Sequence, residues 1–128
     1  MFKAGGPLTS KSVGDRAEER ALAHLLGHGL ELVCRNYRVA RGPGARGGEV
    51  DLIMRERDGT LVFVEVRSRT RSDHGGASAS ISARKQQHIV LAARHYLQRL
   101  RQWPPCRFDV VAIDGGELQW LRAAFDSG

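Results

Sequence analysis

Two things are scarce in this chain: cysteine and unbroken apolar sequence. Its two cysteines, Cys34 and Cys106, stand far apart with no CxxC pairing, which argues against a zinc ribbon and against a disulfide framework. Read as free thiols, they belong in the interior, where unpaired Cys is usually found. No apolar stretch approaches the roughly 20 residues that a membrane-crossing helix needs. The opening MFKAGGPLTSKSVG has no continuous apolar segment behind its lysine, so it does not read as a secretory signal, and a cytoplasmic location is expected. Lysine is scarce as well: of 20 basic residues only Lys3, Lys11 and Lys85 are lysines. No internal repeat or long linker divides the 128 residues, a length that suits one domain with one core.

What the chain does have is positive charge. A formal charge of +6 and an isoelectric point near 10.1 attract polyanions, and phosphate contacts dominate non-specific nucleic-acid affinity. The arginine bias behind that charge also fits a simple effect of genome composition. Charge therefore raises the expectation of nucleic acid without establishing it.

Residues 1–12 read as a Gly/Ser/Lys-rich tail and 13–128 as a single domain. Ser12 and Asp15 resemble a capping box. Ala17, Ala21, Leu22, Leu25 and Leu26 then recur at helical spacing, with Gly27 and Gly29 as stops. Leu30 to Val39 reads as a strand in which Leu32 and Cys34 alternate against Glu31, Val33 and Arg35. Glu49 to Met54 and Leu61 to Val66 are strand-like and joined by a turn containing Asp58-Gly59. Ser82 caps a long helix whose buried face is Ile89, Val90, Ala93, Tyr96, Leu97 and Leu100, ended by Pro104-Pro105. A strand from Arg107 to Ile113, a turn at Asp114-Gly115-Gly116 and a short strand from Glu117 to Leu121 close the chain. The order predicts an α/β protein: a mixed sheet flanked by helices.

Side chains alternate across a strand. Glu49 and Asp51 therefore share one face, with Val50, Leu52 and Met54 on the other. Glu65 and Arg67 share a face of the next strand, with Val62, Val64 and Val66 opposite. Pairing the two as a hairpin brings Asp51 close to Glu65. Neighbouring interior carboxylates are costly unless a cation neutralises them. Mg2+ (or Mn2+) suits such hard oxygen ligands, completed by water and phosphate oxygens. A solvated face carrying weak ion pairs fits the spacing equally well. The setting of Glu65 favours the buried reading, because Leu61-Val62-Phe63-Val64-Glu65-Val66 is apolar on both sides, as in an interior strand.

Asp51 followed by Glu65-Val66-Arg67 resembles the PD-(D/E)xK signature of the restriction-endonuclease-like nucleases. More narrowly, the chain resembles the YraN-like family of bacterial proteins, which are similar to Holliday-junction resolvases. The resemblance runs from Gly14 to Phe125. It takes in Ala17-Glu18, Arg35-Asn36-Tyr37, Gly48-Glu49-Val50-Asp51-Leu52-Ile53, Phe63-Val64-Glu65-Val66-Arg67, Arg69, Lys85, Tyr96-Leu97 and Arg107-Phe108-Asp109-Val110. It implies a restriction-endonuclease-like fold in which Asp51 and Glu65 bind the metal. Glu18 is the first-helix acid brought to that metal, directly or through water. Glu49 fits an outer position beside the cluster as readily as an ordinary surface acid.

Arg67 departs from the signature, which has Lys there; Arg stays protonated and cannot be a general base, yet it can hold a phosphate. Lys85, near the start of the long helix, offers a second cation for the site, against its reading as a helix-surface lysine. Arg41, Arg46, Arg69 and Arg71 sit in or beside glycine-containing loops, placed for phosphate contacts or simply as surface charge. His24, His28, His88 and His95 show no metal-ligand pattern. Trp103 and Trp120 are expected to pack, and Asp109 to pair with a basic neighbour. The expected function is a Mg2+-dependent endonuclease or resolvase-like enzyme acting on branched DNA rather than RNA, and a resolvase is expected to be a two-fold dimer. The alternatives are a catalytically weak or inactive nucleic-acid-binding module on a nuclease scaffold, and a protein-interaction scaffold without nucleic acid.

Overall fold

The computed structural model describes residues 10–40, 47–69 and 81–127. Its elements are α1 (Ser10–Gly27), β1 (Glu31–Val39), β2 (Gly48–Arg55), β3 (Leu61–Arg69), α2 (Ala83–Leu97), β4 (Cys106–Asp114) and β5 (Glu117–Phe125). The strands form one sheet in the order β1-β2-β3-β4-β5. Neighbours are antiparallel except β3 and β4, which run parallel. Parallel strands need a long crossover, and the stretch carrying α2 provides it. The architecture is the expected α/β one, a mixed sheet with a helix on each face. Among the described residues no helix is long and apolar enough to cross a membrane.

Each helix covers its own side of the sheet. On one face Ala17, Ala21, Leu22 and Leu25 of α1 pack with Leu52, Met54, Val62, Val64 and Val111. On the other, Ile89, Ala92, Ala93 and Leu97 of α2 pack with Val50, Ile53, Leu61, Phe63 and Phe108. Residues 61 to 65 of β3 are all buried, because helices cover both faces of this central strand. Burying each Leu, Ile or Phe side chain contributes about 1.5–3 kcal/mol.

The local signals hold where the chemistry is local. Ser82 caps α2, its hydroxyl accepting from the Lys85 N–H at 3.1 Å. Gly29 (φ +92°), Gly59 (φ +95°), Gly115 (φ +59°) and Gly116 (φ +97°) supply the left-handed backbone after α1 and in the two hairpin turns. Several boundaries differ from expectation. Helix α1 begins at Ser10, so the expected tail is shorter and Ser12 lies in the first turn instead of capping it. Helix α2 stops at Leu97, well before Pro104, and Gln98, Arg99 and Leu100 donate to Arg94, Tyr96 and Leu97 carbonyls in a tightening last turn. In β1 the register shifts between Leu32 and Cys34. Val33 and Cys34 therefore both pack on the α2 side, while Leu32 is exposed. Cys106 is an exposed free thiol, not a buried one. Trp103 is 60% exposed instead of packed, standing beyond the end of α2.

Gly48 lies where α2 crosses β2. A Cβ there would meet the His88 carbonyl oxygen at 2.4 Å and the Ala92 nitrogen at 2.8 Å, both backbone atoms. Gly48→Ala must push the helix outward, at an expected cost of about 1–3 kcal/mol. A lower midpoint in urea unfolding checks this, and an unchanged midpoint would refute it.

Candidate metal centre

The hairpin ladder between β2 and β3 runs from Arg55↔Leu61 to Leu52↔Val64 and then stops. The next cross-strand positions are Asp51 and Glu65. Beyond them β3 continues alongside β4 to Arg69↔Asp114, so its β2-facing edge loses its ladder partner. The Asp51 carboxylate fills that gap, its Oδ2 accepting the Val66 N–H at 2.8 Å. Strand β2 also changes face here. Leu52 and Met54 join the α1-side core, whereas Val50 and Ile53, three residues apart, both join the α2-side core. An unbroken pleat cannot do this, so the expected grouping of Val50 with Leu52 and Met54 fails. Across from Asp51 in β1, the pairing passes from Arg35↔Leu52 to Tyr37↔Val50 over Asn36, whose φ of 52° is left-handed.

The two acids meet as the spacing predicts. Glu65 is only 7% exposed, and the two carboxyl groups share a hydrogen bond. Burial, then the charge of Asp51, pushes the Glu65 carboxyl up to about 8, with Lys85 opposing the rise. Burial also raises Asp51, against the hydrogen bonds from Val66 and Glu65 that lower it.

Lys85 reaches the site from the first turn of α2, its Nζ 3.6 Å from Glu65 Oε2. The close packing at Gly48, one helical turn further on, helps set that reach. Arg67 follows Glu65 on the same face of β3, half-buried and without an ion-pair partner among the described residues. Glu49 pairs outward with Arg38 at 3.1 Å, and its charge adds a minor upward push on both acids. Arg41, Arg46 and Arg71 lie outside the described residues, as does the side chain of Arg69.

Glu18 stands off from the pair. Arg35 attracts its carboxylate at 3.9 Å, and the nearby Asn36 amide also favours its charged form. Burial first, then repulsion from Asp51, raises its pKa. Among the described residues no group of three or more His, Cys, Asp or Glu side chains is placed to share an ion; Glu18 is near enough to Asp51 to feel its charge. Asn36 was not singled out from sequence as a site residue; its neighbours in Arg35-Asn36-Tyr37 carried the only signal.

Two neighbouring carboxyl groups, Glu65 buried and Asp51 half-buried, face the single ammonium of Lys85. That donor set fits Mg2+ or Mn2+, which commonly use one or two carboxylates and complete their shell with water and phosphate oxygens. The other buried acid shows the contrast. Asp109, 0% exposed, accepts from Arg107 Nε at 3.0 and 3.2 Å, from Trp120 Nε1 at 2.9 Å and from the Ala123 N–H at 2.9 Å. Its needs are met inside the protein.

Residues 17–113 match the model of the uncharacterised protein family UPF0102, the YraN-like group that the sequence resembles. A UPF0102 protein of Methylibium petroleiphilum is 66% identical over 120 residues, covering 94% of this chain and 98% of that one. One from Albidiferax ferrireducens is 62% identical, covering 93% and 91%. A solved structure described as SSO0001 is 16% identical with a TM-score of 0.47, covering 89% of this chain and 52% of its own.

Proposed function

The chain belongs to the uncharacterised protein family UPF0102, and for this member we propose a metal-dependent endonuclease that hydrolyses phosphodiester bonds in branched DNA. One observation carries the reading: Glu65, 7% exposed, lies against Asp51 at the point where the hairpin opens. A carboxylate pair in such a place costs stability unless a cation joins it. Asp51 and Glu65 would hold the ion, which would lend Lewis acidity to the phosphodiester and the attacking water. Asp51 is fixed for this by the Val66 N–H. Lys85 and Arg67 present positive charge towards a phosphate, where charge builds as the bond breaks. Arg67 cannot take a proton from water, so its part is to bind and orient. The positive charge of the chain favours a polyanionic substrate.

The test uses labelled four-way junctions, flaps and single strands with purified protein in Mg2+ or Mn2+. Metal-dependent cleavage that disappears in Asp51→Ala and Glu65→Ala supports the reading, and cleavage surviving either change overturns it. Lys85→Met is expected to slow cleavage about a hundredfold, measured on the same substrates; an unaltered rate would return Lys85 to a surface role. Arg67 in place of lysine favours a second reading, a nucleic-acid-binding module without turnover. Salt-sensitive binding with no cleavage in any metal would select it.

A further inference from the structure

We infer that Asn36 is a positioning residue that holds Glu18 beside the Asp51–Glu65 pair, so that Glu18 acts on the ion from outside its ligand shell. The inference rests on the metal-site reading above. Three features of one residue converge. Asn36 lies directly across from Asp51, at the position the β1/β2 ladder passes over. Its φ of 52° is a conformation in which L-residues other than Asn and Asp are costly. Its amide lies near enough to Glu18 to favour the charged carboxylate, and the Glu18 side chain is only 16% exposed.

The residue type follows from these demands. Glycine would adopt the backbone but carry no amide. Aspartate would adopt it but set another negative charge against Glu18. Alanine would lose the amide and strain the turn. Asparagine meets the backbone requirement and supplies a neutral donor. Without that donor, Arg35 remains as the partner of Glu18, 3.9 Å away, and Arg35 also binds Glu19 at 2.8 Å. Repulsion from Asp51 would then turn Glu18 outward, toward the α1–β1 surface where Arg35 and Glu19 meet. An outer partner of this kind changes metal affinity by about 10–100-fold when removed.

The experiment is a double-mutant cycle on Mn2+ affinity, measured by calorimetry or electron paramagnetic resonance on the full chain without nucleic acid. Asn36→Gly keeps the left-handed backbone and removes only the side chain, so thermal unfolding is expected to stay close to wild type. The Mn2+ Kd should rise about tenfold in Asn36→Gly. In the Glu18→Ala background the same change should move it less than about twofold, since the two act as one unit. An unchanged Kd in Asn36→Gly overturns the inference, and so does an equal shift with and without Glu18. Wild-type protein that takes up no Mn2+ overturns the metal reading, and the positioning role with it.

Discussion

Glu65→Gln and Asp51→Asn should each lower metal-dependent cleavage by about three orders of magnitude, because each would remove one of the two carboxylates proposed to hold the ion and several kcal/mol of transition-state stabilisation. The stability effect of Glu65→Gln has the opposite sign. Glu65 titrates near its ordinary 4.5 in the unfolded chain but at about 8 in the metal-free fold. Between those values the fold binds more protons than the unfolded chain, so stability falls as pH rises across that window. Glutamine carries no such charge. The variant should therefore match the wild type below about pH 4.5 and unfold at a higher temperature at pH 8. Added Mn2+ should raise the wild-type Tm at pH 8, by linkage to the folded state, and raise that of Glu65→Gln much less. Parallel losses of cleavage and stability would show Glu65 to be a structural group. This opposition is the mark of a site that trades stability for activity.

Asp109→Ala is expected to cost about 3–5 kcal/mol, lowering Tm by roughly 10–20 °C at any pH where the wild type is folded. Its carboxylate accepts four hydrogen bonds from three donors: Arg107 Nε beside it on β4, and Trp120 Nε1 and the Ala123 N–H on β5. The β4/β5 register shifts between Phe108 and Val110, and Ala123 has a φ of 50°, strain that the bond to Asp109 offsets. Removing the carboxylate leaves the Trp120 and Ala123 N–H groups without their acceptor and relaxes the β5 bend. Scanning calorimetry checks the loss. A fall of less than about 1 kcal/mol would mean that water replaces the carboxylate without penalty.

The two acids of the pair were legible to different degrees in the sequence. Glu65 stands out because a charged residue interrupts an apolar run, and Asp51 because the turn at Asp58-Gly59 sets a hairpin register that places the two opposite. Ser82 and the glycine turns were readable because caps and turns are settled within four residues. The face change at Asp51 and the left-handed Asn36 were not. Both arise from how β1, β2 and α2 fit together at Gly48, and nothing in a strand's own residues announces where its pleat will break. Lys85 was ambiguous for the same reason: its helical position is local, but its distance from Glu65 depends on a glycine 37 positions earlier in the chain. The end of α2 was misread because Pro104-Pro105 is a strong stop signal, while the helix tightens and ends on its own carbonyls six residues sooner.

The Val66 amide proton gains an unusual role from the opening of the hairpin. It is held at 2.8 Å by the Asp51 side chain, not by a neighbouring strand, so its magnetic environment and exchange with solvent follow the state of that carboxylate. A single backbone resonance thus becomes a built-in reporter, able to register proton loss, ion uptake or a displaced carboxylate without a label at the site itself.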